Sequence, residues 1–221
     1  MVALLAHDAV RLPCALVLPT TAAELPLTSI ADGSCDAVIG DNCLAWTGPA
    51  GTVVVRSVRE WAPARVLAGG ISARSLAVLF DALPAPAALG IDGALLTLLR
   101  TEPAAAVAGL LGLGPGLTPA GDDVVAGFLL GARALGLAAT AARARAAVAA
   151  MVDDRTTALS AELLWHAARG ECVDELAAVV ADPSAPALSA LLRVGHTSGA
   201  ALATGLAAAA STALWAGGEA A

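Results

Sequence analysis

Gly112-Leu113-Gly114-Pro115-Gly116-Leu117-Thr118-Pro119-Ala120-Gly121-Asp122-Asp123 is the stretch of this chain whose residue types and spacing best suit chemistry. Gly112, Gly114, Gly116 and Pro115 make a tight loop. Thr118 then suits a helix N-cap and Pro119 the first helical position, where a missing N–H costs nothing. Free backbone N–H groups and the positive end of the helix dipole make such a junction a site for an anion. Two carboxylates, Asp122 and Asp123, sit in the first turns. Successive helical residues point about 100° apart, so the two cannot face one point equally. One is placed to orient a ligand amine or bind a cation, while the other faces solvent or caps its neighbours. The plainer reading, a helix entry whose acidic residues complement the dipole, stays open.

Two motifs are excluded. A P-loop needs a lysine at the phosphates, and this chain has none. A dinucleotide fingerprint needs a preceding strand, and a helix over Ala104–Leu111 is expected there instead.

Val194-Gly195-His196-Thr197-Ser198-Gly199 likewise ends one helix and opens another. Its serine sits one place too late for a Gly-x-Ser-x-Gly nucleophile elbow. Two such helix entries facing one cleft supply several N–H donors without Arg or Lys. His196 is suited to donate or move a proton, and an ordinary surface histidine is the equal alternative. In the segment 153–160, Thr157, Ser160 and the nearby Leu164 lie near one face at helical spacing. Hydroxyls there either line a polar pocket or bond back to the carbonyl four residues earlier. Glu162 and His166, four apart, read as a surface pair rather than a catalytic dyad.

An α+β chain must position these groups. Residues 1–62 form a small β-rich lobe, with strand signals at Cys14–Leu18, Asp36–Trp46 and Thr52–Val58 and a hairpin connection at Gly48-Pro49-Ala50-Gly51. Pro19–Gly33 is turn-rich. Residues 63–221 form a larger helical lobe carrying the glycine loops, packed with the first as one compact unit. Its helices are expected over Ala73–Leu83, from Asp92 to Arg100, from Pro103 into the glycine loop, and from Pro119 to Leu135. Further helices follow over Ala141–Arg169, Val173–Val180 and Ala187–Val194, and from Thr197 or Ser198 towards Trp215.

At 221 residues the chain buries roughly 70% of the surface it exposes unfolded. Alanine is the largest part of the 58% hydrophobic share, and Lys, Tyr and Gln are absent. That bias reads as GC-rich codon usage. A net charge of −7 without an Arg–aromatic stripe argues against nucleic acid. Cys14, Cys35, Cys43 and Cys172 form no Cys-x-x-Cys pair and have no histidine at metal-ligand spacing, so free thiols in a cytoplasmic protein are expected rather than zinc. Met1–Ala6 runs into His7, Asp8 and Arg11, unlike a secretion signal. Gly199–Gly218 has membrane length, but its Ala, Gly, Thr and Ser content favours a buried helix over a span.

Taken in order, "GLGPGLTPAGDD", "RTTALSAELLWHAARGE" and "GHTSGAALATG" resemble the AllH-like family, which includes a subunit of bacterial oxamate carbamoyltransferase. The resemblance covers Gly112–Gly205. It implies a part in carbamoyl transfer between oxamate and carbamoyl phosphate, in anaerobic allantoin catabolism, with partner subunits. Gly114, Gly116, Thr118, Gly121, Asp122 and Asp123 match the first segment, and Thr156, Thr157 and Ser160 the second. Gly195, His196, Ser198 and Gly199 match the third, with Thr197 among them as a further binding residue. Family members often carry an acidic residue after that last glycine, where this chain has Ala200 and Ala201. If the chain is an enzyme subunit of this chemistry, amides at Gly114–Gly116 and the helix entry at Thr118 are expected to hold a phosphate or related small anion. Asp122 or Asp123 then bonds the carbamoyl NH₂ or a divalent cation, and His196 assists proton transfer. No metal ligands are otherwise assigned. The alternatives are a non-catalytic scaffold subunit, with the Gly199–Gly218 helix packing between chains, or a small-metabolite sensor.

Overall fold

The computed structural model describes residues 3–21, 36–40, 43–48, 51–56, 59–77 and 83–219. The class is α+β, with short sheets towards the N-terminus and a larger helical part after them. The chain divides into two compact units: Leu4–Ala9 with Leu16–Ala62, and Met1–Ala3 with Val10–Ala15 and Pro63–Ala221.

Strands β1 (Ala3–Ala6) and β2 (Ala15–Leu18) pair as a two-stranded sheet. The predicted strand Asp36–Trp46 is in fact two, β3 (Asp36–Gly40) and β4 (Cys43–Gly48), paired antiparallel with Gly40 opposite Cys43. A third strand, β5 (Gly51–Arg56), pairs with β4 so that Gly48 faces Gly51. Its β-branched Val53–Val55 run suits a pleated surface. Trp46 is buried on one face of this meander, and Val38 and Val54 are exposed on the other. Most of the expected Pro19–Gly33 turn region, and Pro49 and Ala50, lie outside the described residues.

The larger unit opens with β6 (Ala64–Arg65), which pairs with β7 (Glu171–Cys172). Helix α1 (Ala73–Ala77) starts where predicted, with the Ser72 hydroxyl accepting from the Ser75 N–H at 3.1 Å. Asp92 likewise caps α2 (Gly93–Thr101), accepting from the Ala94 N–H at 2.9 Å. Helix α3 (Pro103–Leu110) leads into the glycine loop and α4 (Ala120–Ala134) leaves it. The expected long helix Ala141–Arg169 is broken into α5 (Ala138–Arg155) and α6 (Ala158–Arg169). Thr156 is extended at the break, and the Thr157 hydroxyl caps α6 by accepting from the Ser160 N–H at 3.1 Å. Two helices, α7 (Asp174–Ala181) and α8 (Ala185–Leu192), precede α9 (Ser198–Glu219).

Helix α4 is apolar nearly all round and is buried along almost its whole length, as such helices must be. Its main partner is α9, and glycine lets the two backbones touch. A Cβ on Gly127 would lie 2.0 Å from the Leu202 carbonyl oxygen, and one on Gly205 would lie 2.0 Å from that of Val124. One on Gly131 would meet the Ala209 Cβ at 2.7 Å. The buried small residues of α9, Gly205 and Ala209 among them, therefore serve packing within the chain. Thr204 and Thr212 are buried there and donate to the Ala200 and Ala208 carbonyls at 2.8 Å. By length and composition Ser198–Gly217 would cross a membrane, yet 56% of its most apolar window is buried inside the protein.

Gly205→Ala should cost about 3 kcal/mol in urea unfolding, because all three atoms its Cβ would meet are backbone and the helices must part. Gly217→Ala, whose Cβ would meet nothing within 4 Å, should be neutral or slightly stabilising. Equal midpoints for the two variants would contradict the backbone contact.

Candidate functional site

The glycine loop is shaped by left-handed backbone. Gly112, Gly114 and Gly116 have φ of 75°, 114° and 96°. At Gly112 the constraint is doubled, since a Cβ would lie 2.1 Å from the Arg155 carbonyl oxygen. Gly121 brings the start of α4 against the end of α3, its Cβ position 2.0 Å from the Leu110 carbonyl oxygen. Pro119, with extended backbone, is the N-cap and Ala120 the first helical residue. The expected N-cap, Thr118, is thus one place too early for that job. Its hydroxyl instead lies 3.0 Å from that of Ser198. The amides of Gly114, Gly116, Leu117 and Thr118 make no hydrogen bond to the described residues.

The two carboxyls divide their work, and neither faces solvent as one was expected to. Asp122 is 1% exposed. Its Oδ1 accepts from the Gly112 N–H at 2.7 Å, and its Oδ2 accepts from the Ser160 hydroxyl at 2.7 Å and from the Thr156 hydroxyl. Thr157 adds a hydroxyl donated to the Leu117 carbonyl, and Arg155 donates to the Ala108 carbonyl at 3.0 Å. The segment 155–160 is therefore the brace of the glycine loop. Its three hydroxyls do this bracing rather than line the cavity.

Asp123 is 7% exposed and its Oδ2 has no hydrogen-bond partner among the described residues. Burial pushes its pKa up to about 7, and the neighbouring Asp122 adds to this. Hydrogen bonds from Ser198 and Thr118 pull the other way without winning. At neutral pH the carboxyl is thus shared between its neutral, hydrogen-bond-donating form and its charged form.

Asp123 lies in the wall of a cavity of about 340 Å³. Thr118, Gly195 and Ser198 share that wall, as do Ala126, Leu130, Leu159, Leu163, Leu176 and Leu202. Gly114, Gly116, Gly121, Thr197 and Gly199 do not line it; a Cβ on Gly199 would lie 1.9 Å from the Leu191 carbonyl oxygen, so that glycine packs α8 on α9. His196 is exposed on the turn before α9 and is not brought to the cavity either. Among the described residues no group of three His, Cys, Asp or Glu side chains is placed to hold a metal ion, and both oxygens of Asp122 are already taken by donors.

Sequence reasoning missed Glu171, which lines the cavity from β7. His166, read as half of a surface pair, has a side chain only 14% exposed. It reaches Glu171 at 2.7 Å and Glu162 at 3.6 Å. Arg169 at 3.4 Å and Arg65 at 3.6 Å complete the cluster around Glu171. Burial pushes the Glu171 carboxyl up, but the hydrogen bonds and charges of His166 and Arg169 outweigh it and hold it below the ordinary value. Nothing local signals this, because Arg65 and Glu171 meet only through the β6–β7 pairing. Cys172 is also in the wall, and burial pushes its thiol up to about 12, so it is unreactive. Cys14, Cys43 and Cys172 are free thiols, and Cys35 lies outside the described residues.

The fold and site together define a glycine-loop helical module in which two helix entries share a buried carboxyl and two hydroxyls. Residues 110–210 match the family described as oxamate carbamoyltransferase subunit AllH. The matched segment carries the whole glycine loop, its brace and both helix entries. Ala201, where relatives were expected to carry an acidic residue nearby, is fully buried in the helix packing. No solved structure matches the chain.

Two predictions follow from the divided carboxyls. Asp122→Ala should cost at least about 3 kcal/mol in urea unfolding, because three donors lose a buried acceptor at about 1–3 kcal/mol each; a loss under about 1 kcal/mol would show that the tie does not matter. For Asp123 the folded pKa is raised from 3.8 to about 7, so its stability contribution is complete below 3.8 and is lost as pH rises through 7. Asp123→Asn should therefore gain on the wild type between those values, by up to about 4 kcal/mol at pH 8. Parallel stability–pH curves would refute the shift.

Proposed function

We propose that this chain is a subunit of a carbamoyltransferase-type complex, and that its glycine loop and Asp123 together hold a small carbamoyl-bearing anion of the oxamate or carbamoyl phosphate kind. What supports this reading is a segment matching a carbamoyltransferase subunit family that carries both loop amides without partners among the described residues and a buried Asp123 carboxyl in a cavity wall. The amides of Gly114, Gly116, Leu117 and Thr118 suit the phosphate or carboxylate end, since exposed N–H groups at a helix entry favour anions. Asp123 suits the other end: its carboxyl accepts from the carbamoyl NH₂, and in its neutral form also donates to the carbamoyl oxygen. A donor waiting where negative charge develops on that oxygen lowers the barrier to attack at carbon. Thr118 and Ser198 fix the carboxyl, and Asp122 acts as a positioning residue through the loop. His196, exposed and outside the cavity, has no role in this scheme.

In the assembled complex, Asp123→Ala should lower turnover about 10²–10³-fold, equivalent to about 2.7–4 kcal/mol. His196→Ala should leave turnover within about twofold by the same reasoning. Calorimetric titration of the chain with carbamoyl phosphate, oxamate and inorganic phosphate tests the loop separately. Gly116→Val, strained at φ 96°, should abolish binding of all three. Wild-type turnover in Asp123→Ala would overturn the assignment of the carbamoyl group to this carboxyl.

A further inference from the structure

We infer that a second cavity, between α4, α5 and α6, binds a small organic dicarboxylate, with one carboxylate on Arg133, the other on Arg145 and a hydrocarbon spacer over an alanine floor. It is separate from the cavity beside Asp123, with which it shares only Ala167. The inference does not depend on the carbamoyl reading.

Shape makes the first argument. The cavity holds about 240 Å³, just under the roughly 300–1,000 Å³ of sites that enclose drug-sized ligands, so a compact ligand fits it. From α4 it takes Leu129, Ala132 and Arg133, and from α5 Ala138, Ala141, Ala142 and Arg145. Steps of three and four residues put each set on one face of its helix. Alanine along both faces leaves the hollow between the helices open. Among the described residues, Arg133 and Arg145 are the only polar side chains that line it.

Charge makes the second. The chain has 19 acidic side chains against 12 basic ones, yet among the described residues no acid lines this cavity. Neither helix offers one. Three and four residues from Arg145 stand Ala141, Ala142, Val148 and Ala149, and from Arg133 Leu129, Leu130, Gly136 and Leu137. Neither guanidinium has a carboxylate partner among the described residues. Two like charges at one hollow without a counter-ion favour an anion. The planar fork of a guanidinium matches a carboxylate with two parallel N–H···O bonds.

Preorganisation makes the third. The Arg133 Nε–H donates to the Val66 carbonyl at 2.8 Å. Gly170 gives that side chain room, since a Cβ there would lie 2.7 Å from Nε and 2.9 Å from Cδ. The Nη groups of Arg133 are left with no acceptor among the described residues, and a side chain already fixed loses less freedom on binding. Arg145 is exposed at the cavity edge and makes no hydrogen bond to the described residues, so it is free to close on a second carboxylate. A single-headed acid leaves one arginine idle, and inorganic phosphate leaves the alanine floor wet. A dicarboxylate with a methylene spacer satisfies both.

The test is calorimetric titration of the full chain with succinate, glutarate and adipate, with butyrate and inorganic phosphate alongside. The best-fitting dicarboxylate should bind at least about tenfold more tightly than butyrate, the size of effect expected when one charge-assisted pair is lost. Arg145→Gln, at an exposed position, should weaken that dicarboxylate by about tenfold or more and leave the urea midpoint unchanged. Ala142→Glu, which sets a carboxylate on the floor, should abolish its binding. Arg133→Lys, which keeps the charge and loses the fork, should weaken it severalfold. Gly116→Val should bind it as the wild type does. Butyrate or inorganic phosphate binding as tightly as every dicarboxylate would overturn the two-headed fit. Dicarboxylate binding that survives both Arg145→Gln and Ala142→Glu, or that disappears in Gly116→Val, would put the anion elsewhere and overturn the site. No heat from any of the three dicarboxylates would overturn the inference too, and each of these failures leaves the carbamoyl reading standing.

Discussion

Among the described residues no cation pairs with the buried Asp122, and its oxygens are held by an N–H from the glycine loop and by hydroxyls from both sides of the α5–α6 break. A carboxylate so placed is tolerable only because every approach is a hydrogen bond, and those bonds to a charged acceptor are stronger than neutral ones. The loop, the start of α4 and the start of α6 are thereby joined at one point. Everything about the neighbouring cavity depends on that joint. It keeps Gly112 pressed against Arg155, while Asp123, about 100° further round the helix, turns to the cavity.

The three segments singled out by residue type are the ones that meet in the fold, because glycines, hydroxyls and paired acids announce themselves at helix ends. Their separate jobs were harder to read. The spacing of Asp122 and Asp123 requires them to diverge, but it says nothing of which faces the cavity, and both turn out buried. Thr156 and Thr157 sit within an alanine-rich stretch that reads as one helix, although Asp, Thr and Ser are weak helix formers. The interruption there is fixed by Asp122, 34 residues away in the chain, a partner that local propensity does not report.

Other parts of the site are set by topology alone. Val10, Leu12 and Pro13 line the cavity from a segment with no recognisable signal. Glu171 arrives there on a two-residue strand. His196 looked like the natural acid–base group, yet the turn that carries it gives the cavity only Gly195 and Ser198. In the same way, Gly116 has open space around it while Gly121 and Gly199 are each forced by a carbonyl oxygen at about 2 Å, a distinction between freedom and close approach that a row of glycines does not display.

Asp123 stands at the head of α4 and Ser198 at the head of α9. Behind them, Gly127, Gly131 and Gly205 let the two helices lie backbone on backbone. Like the jaws of a caliper on a single beam, the two helix heads keep a gap that is gauged by the shaft rather than by the tips. A bulkier atom one or two turns away would open that gap without touching a single residue in it.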